Sequence, residues 1–413
     1  KNKLRTHFVR IRGDFKLDKL YDVIIIGSGV VGNAIAREMS RYNLKIGVLE
    51  KELDVCNETS ARNSGVLHAG FNNKPGTLMA KFCVEGNQGF DQVAKELGVP
   101  FKRCGKLVVG FSEEDKEKLI AMKEQGEKNG VKGLEIIGKD KIKEIEPNID
   151  GEFAMWSKTT GILNPFLLTI ALAENAAANG AEYYFGNEVI DIKRVDDIYN
   201  IKTKKDTYKT RWVVNAAGLY SDRVSKMLGI DDYTIHPCRG EYFILDEKVG
   251  SKLSLPAYPV PNPKEGGLGI HLTPTIDGNV FIGPSSEYID ERDDYSATQK
   301  IMDLLIKDGG RIFPHIRRDD FIRNFAGIRP KLASKEEGGY HDFVIEMRDK
   351  SPNTINLVGI ESPGLTSSTP IAKYVVSLLK QKEELTENEN FNPIRKPIVT
   401  FNDKSDRKST RLN

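Results

Sequence analysis

The run from Tyr21 to Ile26, apolar and rich in β-branched residues, passes directly into Gly27-Ser28-Gly29-Val30-Val31-Gly32, and a helical pattern follows from Val30 to Arg41. A strand buried on both faces, as in a parallel sheet, reads this way. The glycines match G-x-G-x-x-G: Gly27 permits a tight turn, Gly29 the close approach of a pyrophosphate, and Gly32 the packing of helix on strand. The amides that open the helix favour an anionic phosphate. Strand pattern returns over Leu44 to Glu50, which completes a β-α-β unit. Glu50 stands eighteen residues beyond Gly32, where a carboxylate accepts hydrogen bonds from adenosine ribose hydroxyls. The chain is therefore expected to be α/β, with a doubly wound sheet that binds a dinucleotide.

Later segments resume the style of that opening after long interruptions. Ile170–Gly180 reads as an alanine-rich helix, Glu188–Val195 and Trp212–Asn215 as strands, Asn356–Ile360 as a last core strand, and Thr369–Lys380 as a helix after a Ser-Pro-Gly turn. The expected organisation is discontinuous: an extension over 1–19, a nucleotide-binding domain from 20–98, 150–235 and 324–382, a substrate domain from 99–149 and 236–323, and a linker-like tail over 383–413. The insertions supply solvated Lys/Glu-rich helices and many strand and turn signals. With 39% hydrophobic and 29% charged residues and a formal charge of +2 over 413 residues, the composition is that of a globular chain. It gives no reason to expect a nucleic-acid partner. No apolar stretch reaches the roughly 20 residues of a transmembrane helix. Cys56, Cys83, Cys104 and Cys238 lack zinc-ligand spacing, so no metal site is expected, and reduced thiols point to a cytoplasmic setting.

The ADP half of a dinucleotide is shared by FAD and NAD, so the opening motif does not separate them. The segment Glu58–Gly70 does, because its small and hydroxylated residues suit a long, extended cofactor. With NSGVLHAG, CGKLVVG, NAAGLYSDR, RGEY, FAGIRP and SPGLTSS in order, the chain from Tyr21 to Lys380 resembles the D-amino-acid-oxidase-like FAD oxidoreductases. The glycerol-3-phosphate dehydrogenases and oxidases and the L-2-hydroxyglutarate dehydrogenases of that group are the nearest in pattern.

The resemblance implies an α/β, Rossmann-like FAD-binding domain of the GR2 type, with an interleaved α+β substrate domain built on a mixed or antiparallel sheet. It implies that Gly27, Gly29, Gly32 and Glu50, with Val30, Val31 and Lys51, hold the ADP part. Thr59, Ser60, Asn63, Ser64 and Gly65 would lie along the pyrophosphate and flavin. The backbone of Val189 would meet adenine, and Ala217 with Gly218 the pyrophosphate again. Gly364, Leu365 and Thr366 would place a helix N-terminus beside flavin N1 and O2, which agrees with helix-dipole physics.

His68 is the expected general base, since removing hydride from a secondary alcohol requires loss of the hydroxyl proton. An anionic substrate needs cationic recognition, for which Arg329, Lys331 and Arg239 are candidates, with Tyr242 and His271 adding hydrogen bonds. FAGIRP and SPGLTSS lean toward sn-glycerol 3-phosphate oxidised to dihydroxyacetone phosphate; CGKLVVG and HLTP lean toward L-2-hydroxyglutarate. Amine or amino-acid oxidation on the same fold is a further alternative. No cysteine follows Cys238, so the cysteine-rich iron-sulfur module of some longer relatives is not expected in this chain. The electron acceptor could be a partner subunit, a quinone or oxygen, and peripheral attachment to a membrane stays open.

Overall fold

The computed structural model describes residues 19–261 and 269–396, and most of the extension expected over 1–19, like residues 397–413, lies outside it. Leu20–Ile26 is buried without a break from Val23 to Ile26 and pairs in parallel with Ile46–Leu49 on one side and Thr207–Asn215 on the other. Glu182–Tyr184 continues the parallel order beyond Ile46–Leu49, and Ser351–Val358 continues it beyond the end of Thr207–Asn215. An antiparallel hairpin, Val189–Val195 with Ile198–Thr203, and the strand Val344–Arg348 complete eight strands. Four helices pack together against this sheet: Val30–Met39, Leu78–Leu97, Pro165–Ala178 and Gly364–Leu379. Their shared core includes Ile25, Ile35, Phe82, Leu172 and Ile371.

Two of these helices begin earlier than the expected starts. Pro165–Ala178 opens with Asn164 accepting from Leu167 N–H at 3.1 Å and proline in the first turn, a start signal outweighed in the sequence by the alanine run. Gly364–Leu379 runs through Pro370, which by local rule should mark a boundary. The carbonyl that Pro370 leaves without a helical donor is that of Thr366. Gly86 packs against it so closely that a Cβ there would stand 2.0 Å from the oxygen.

A second, nine-stranded mixed sheet gathers short strands from distant segments. Its middle is His271–Pro274, Ala257–Pro259 and Lys106–Gly110, with Phe153–Ser157 and Leu134–Gly138 beyond. At its other end His236–Leu245 pairs antiparallel with Phe321–Lys331 along nearly their whole length. Residues 383–396, expected to be linker-like, lie along the first layer instead. Glu383 accepts from Trp212 Nε1 at 2.9 Å, Thr386 O from Asn43 N–H at 2.9 Å, and the buried Arg395 bonds Glu174 at 2.5 Å and Leu97 O at 3.2 Å. Among the described residues no helix is long and apolar enough to cross a membrane.

Candidate active site

A cavity of about 1290 Å³ lies between the two sheets, larger than a site for a small ligand alone needs. One end is the glycine turn. Gly27 takes φ +107° and a Cβ there would meet Ala216 O at 2.5 Å; a Cβ on Gly32 would stand 2.0 Å from Gly27 O. Both are spent on packing strand, turn and helix together. Gly29 has an extended backbone, lines the cavity, and a Cβ there would meet only Ser60 Oγ, at 3.0 Å. The helix Val30–Met39 has no side-chain cap and no acid in its first turn, so its N-terminal dipole faces the cavity uncompensated by charge. Ser60 Oγ accepts from Val30 N–H at 2.9 Å.

Glu50 ends its strand with its carboxylate accepting from Ser28 N–H at 2.7 Å and Glu52 N–H at 2.9 Å. Burial raises its pKa against the pull of those two amides. Asn187 N–H donates to the main-chain carbonyl of Glu50 at 2.8 Å, which brings the segment leading into Val189–Val195 alongside the end of the Ile46–Leu49 strand. Lys51 is bound by Glu52 and Glu58 and covers the Tyr220 ring at 4.8 Å, so its charge is already matched. Glu50, Lys51 and Val189 are not on the cavity wall; Val30, Val31, Thr59, Ser60, Asn63, Ser64, Gly218, Gly364 and Leu365 are. Ala217 follows the lining residue Ala216, and Gly65 orients the loop by donating to Asn63 Oδ1 at 2.9 Å. A dinucleotide therefore fits the residues present: bare backbone at Gly29, an open helix N-terminus, and a buried carboxylate one strand away.

At the far end, Gly364–Leu379 directs its N-terminus into the cavity. Thr366 faces the other way: its Oγ1 accepts from His68 N–H at 3.0 Å and ties that helix to the segment carrying His68. The His68 ring lines the cavity, and burial, then the charge of Lys106, lower its pKa to about 3, so it is a neutral imidazole. His271, stacked on Tyr258 at 3.7 Å, is likewise pushed well below its ordinary value by burial and then Lys106. Its Nδ1 lies 2.9 Å from Gly269 O, which in the neutral ring makes Nδ1 the donor and leaves Nε2 as acceptor.

The expected cations separate by strand register. Cys238 pairs with Arg329, Gly240 with Gly327 and Tyr242 with Phe325, so Tyr242, Arg329 and Lys331 share the cavity face. Arg329 Nη2 donates to Ser285 O at 2.7 Å, and no carboxylate among the described residues pairs with it. Glu361, whose field it feels, is held by Lys331 Nζ at 3.0 Å. Lys331 thus reaches the cavity with its charge neutralised. The expectation for Arg239 is corrected: it points to the opposite face, where Glu287, Asp294 and Ser296 consume its guanidinium. Tyr242 lies flat on Phe325, ring centroids 4.7 Å apart, with its edge in the cavity wall.

Sequence reasoning missed Arg62 and Tyr258. Arg62 lines the cavity with its guanidinium over the Tyr295 ring at 4.1 Å and its buried Nε unpartnered. Its signal was a single charge inside a run of small hydroxylated residues. Tyr258 lines the cavity with a buried hydroxyl that faces Thr273 and Ser64, and nothing in PAYPVP distinguishes it. No cluster of His, Cys, Asp or Glu among the described residues is placed to hold a metal ion.

Three kinds of similarity agree with this geometry. A family model described as "FAD dependent oxidoreductase" (DAO) matches residues 22–378. A glycerol 3-phosphate dehydrogenase of Caloramator mitchellensis is 41% identical over 95% of this chain and 81% of its own length. The mitochondrial L-2-hydroxyglutarate dehydrogenase of Homo sapiens is 30% identical over 88% of this chain and 90% of its own. Among solved structures, FAD-bound L-alpha-glycerophosphate oxidase of Mycoplasma pneumoniae superposes with a TM-score of 0.86 at 28% identity, covering 92% of this chain and all of that one.

Proposed function

This chain belongs to the DAO family of FAD-dependent oxidoreductases, and we propose that it oxidises the carbinol of a small anionic hydroxy-substrate, sn-glycerol 3-phosphate, to dihydroxyacetone phosphate. FAD, when bound, supplies the acceptor for the hydride that leaves the carbinol carbon. Gly29 and the first turn of Val30–Met39 would hold its pyrophosphate, and Glu50 its ribose hydroxyls. The N-terminus of Gly364–Leu379 would face the part of the ring that gains negative charge.

The observation that carries the reading is one cavity lined both by a neutral imidazole, His68, and by an ion-pair-free guanidinium, Arg329. Arg329 can bind a phosphate or carboxylate through its remaining donors in fork geometry, and Tyr242 borders the same face. With the anion fixed, the carbinol is presented to His68, whose neutral ring accepts the hydroxyl proton as the C–H electron pair departs. Proton and hydride together account for both hydrogens lost, leaving a ketone.

A second reading, oxidation of L-2-hydroxyglutarate, draws on Arg62, a second guanidinium lining the same cavity with its Nε unpartnered, since a dicarboxylate needs two donor sites. The guanidinium of Arg329, with no carboxylate among the described residues to offset it, suits an anion better than a cationic amine. The test is anaerobic addition of sn-glycerol 3-phosphate, L-2-hydroxyglutarate, lactate, glycine and sarcosine to the FAD-loaded protein, following flavin absorbance. Rapid bleaching by sn-glycerol 3-phosphate supports the first reading and by L-2-hydroxyglutarate the second; bleaching by glycine or sarcosine alone refutes both. Turnover with oxygen, a soluble quinone or a protein acceptor then identifies what reoxidises the flavin.

A further inference from the structure

Lys106 begins a strand in the middle of the second sheet and is completely buried, 0% exposed. Its Nζ has no hydrogen-bond partner among the described residues. The ammonium sits 3.5 Å from the centroid of the Tyr258 ring and 4.9 Å from that of Phe71, and both rings line the cavity. His271 stacks on the same Tyr258 ring at 3.7 Å, so close that imidazole and ammonium must take opposite faces. The ionisable groups that feel Lys106 are His68, His271 and, from the helix Leu78–Leu97, Cys83. Arg329 stands beyond His271, and Tyr242 beyond Tyr258. The thiol of Cys83 is pushed up to about 12 by burial and is neutral. No member of this set is an anion.

We propose that Lys106 is the positioning charge of this site: an ammonium with no counter-ion of its own, sealed one aromatic ring behind the cavity wall, whose protonation is linked to binding of the substrate anion. The proposal rests on the reading above that the cavity takes a small anion. A buried cation without a partner is unfavourable in the empty site, and the Tyr258 face compensates only in part. An anion on Arg329 supplies what is missing. Burial lowers Lys106 to about 7 in the free protein; a bound anion raises it, so above that pH binding takes up a proton. Affinity is then independent of this group below about pH 7 and weakens by up to about tenfold per pH unit above it, until the pKa of the bound state is reached.

The experiment uses the FAD-loaded protein with sulfate and with malonate, whose own charges are constant above about pH 7. Sulfate stands for a phosphate group and malonate for a dicarboxylate. Dissociation constants are measured from about pH 6 to 10, and calorimetry in buffers of different ionisation enthalpy counts protons. The wild type is expected to take up close to one proton per anion near pH 8. Lys106→Met should bind more weakly below about pH 7 and lose both the pH limb and the proton uptake. Lys106→Arg, always charged, should bind tightly with no limb. A pH-independent wild type, or a Lys106→Met protein that keeps the limb, overturns the proposal while leaving the anion site standing. If the wild type binds neither anion, the functional reading falls and this proposal with it.

Discussion

Replacing Gly29 by alanine should separate cofactor binding from folding. Gly29 has φ −75°, which any residue adopts, and a new Cβ meets only Ser60 Oγ at 3.0 Å, the mobile end of a side chain. The cost to the fold is bounded by the Ser60–Val30 hydrogen bond, about 1 kcal/mol. If Gly29 receives the pyrophosphate as proposed, the same methyl would stand between the backbone and that group. Losing two charge-assisted hydrogen bonds at roughly 1.5–3 kcal/mol each weakens FAD at least about a hundredfold. Gly27→Ala and Gly32→Ala provide the contrast, because their methyls would meet backbone oxygens at 2.5 and 2.0 Å. Backbone must move in both, at roughly 3 kcal/mol or more. The assay is thermal denaturation of each apoprotein together with FAD titration. Gly29→Ala should melt within a few degrees of wild-type apoprotein and remain colourless at FAD concentrations that saturate the wild type, whereas Gly32→Ala should melt well below it. Wild-type FAD affinity in Gly29→Ala, or equal melting of Gly29→Ala and Gly32→Ala, refutes the division of labour among these glycines.

His68→Asn should keep FAD yet be reduced by substrate at least about a hundredfold more slowly in anaerobic stopped flow; unchanged kinetics would remove His68 from the mechanism. Because burial and Lys106 hold His68 near 3, the wild-type kcat/KM profile should show no acid limb at the ordinary histidine value of about 6.5; a limb there that disappears in His68→Asn would leave His68 as the base and refute its depressed pKa. Arg329→Met should raise KM roughly thirtyfold or more, the scale of a lost buried charge contact, with a smaller change in kcat; an unchanged KM places the anion elsewhere. Lys106 is lowered in the folded state from 10.5 to about 7, so the unfolded chain binds the proton more tightly and this group's contribution to stability rises with pH between those values. Urea melts should show that rise, up to roughly 3–5 kcal/mol, in the wild type and not in Lys106→Met, and parallel curves would refute it.

The β-α-β opening was legible because its determinants are local: a glycine turn needs φ +107° at Gly27, and the strand before it is buried on both faces. The second sheet was not. Lys106–Gly110 finds Ala257–Pro259 and Phe153–Ser157 across long stretches of chain, and strands of three to five residues carry too little pattern to name their partners. The same limit decided the arginines. Arg239 and Arg329 looked alike in sequence, yet pairing of Cys238 with Arg329 sends them to opposite faces, and register is a tertiary fact. Lys106 stood in plain view in CGKLVVG, but a lysine ahead of an apolar run reads as a strand end until its complete burial is seen.

In the proposed reaction the cavity removes a carbinol hydrogen as hydride while His68 takes the hydroxyl proton. Anaerobic reduction of the FAD-loaded protein by sn-glycerol 3-phosphate carrying deuterium at its carbinol carbon tests it most directly. Flavin bleaching should be several-fold slower than with the unlabelled compound; equal rates of bleaching in the anaerobic single turnover, or no bleaching with any hydroxy-substrate, would rule hydride removal from the carbinol out.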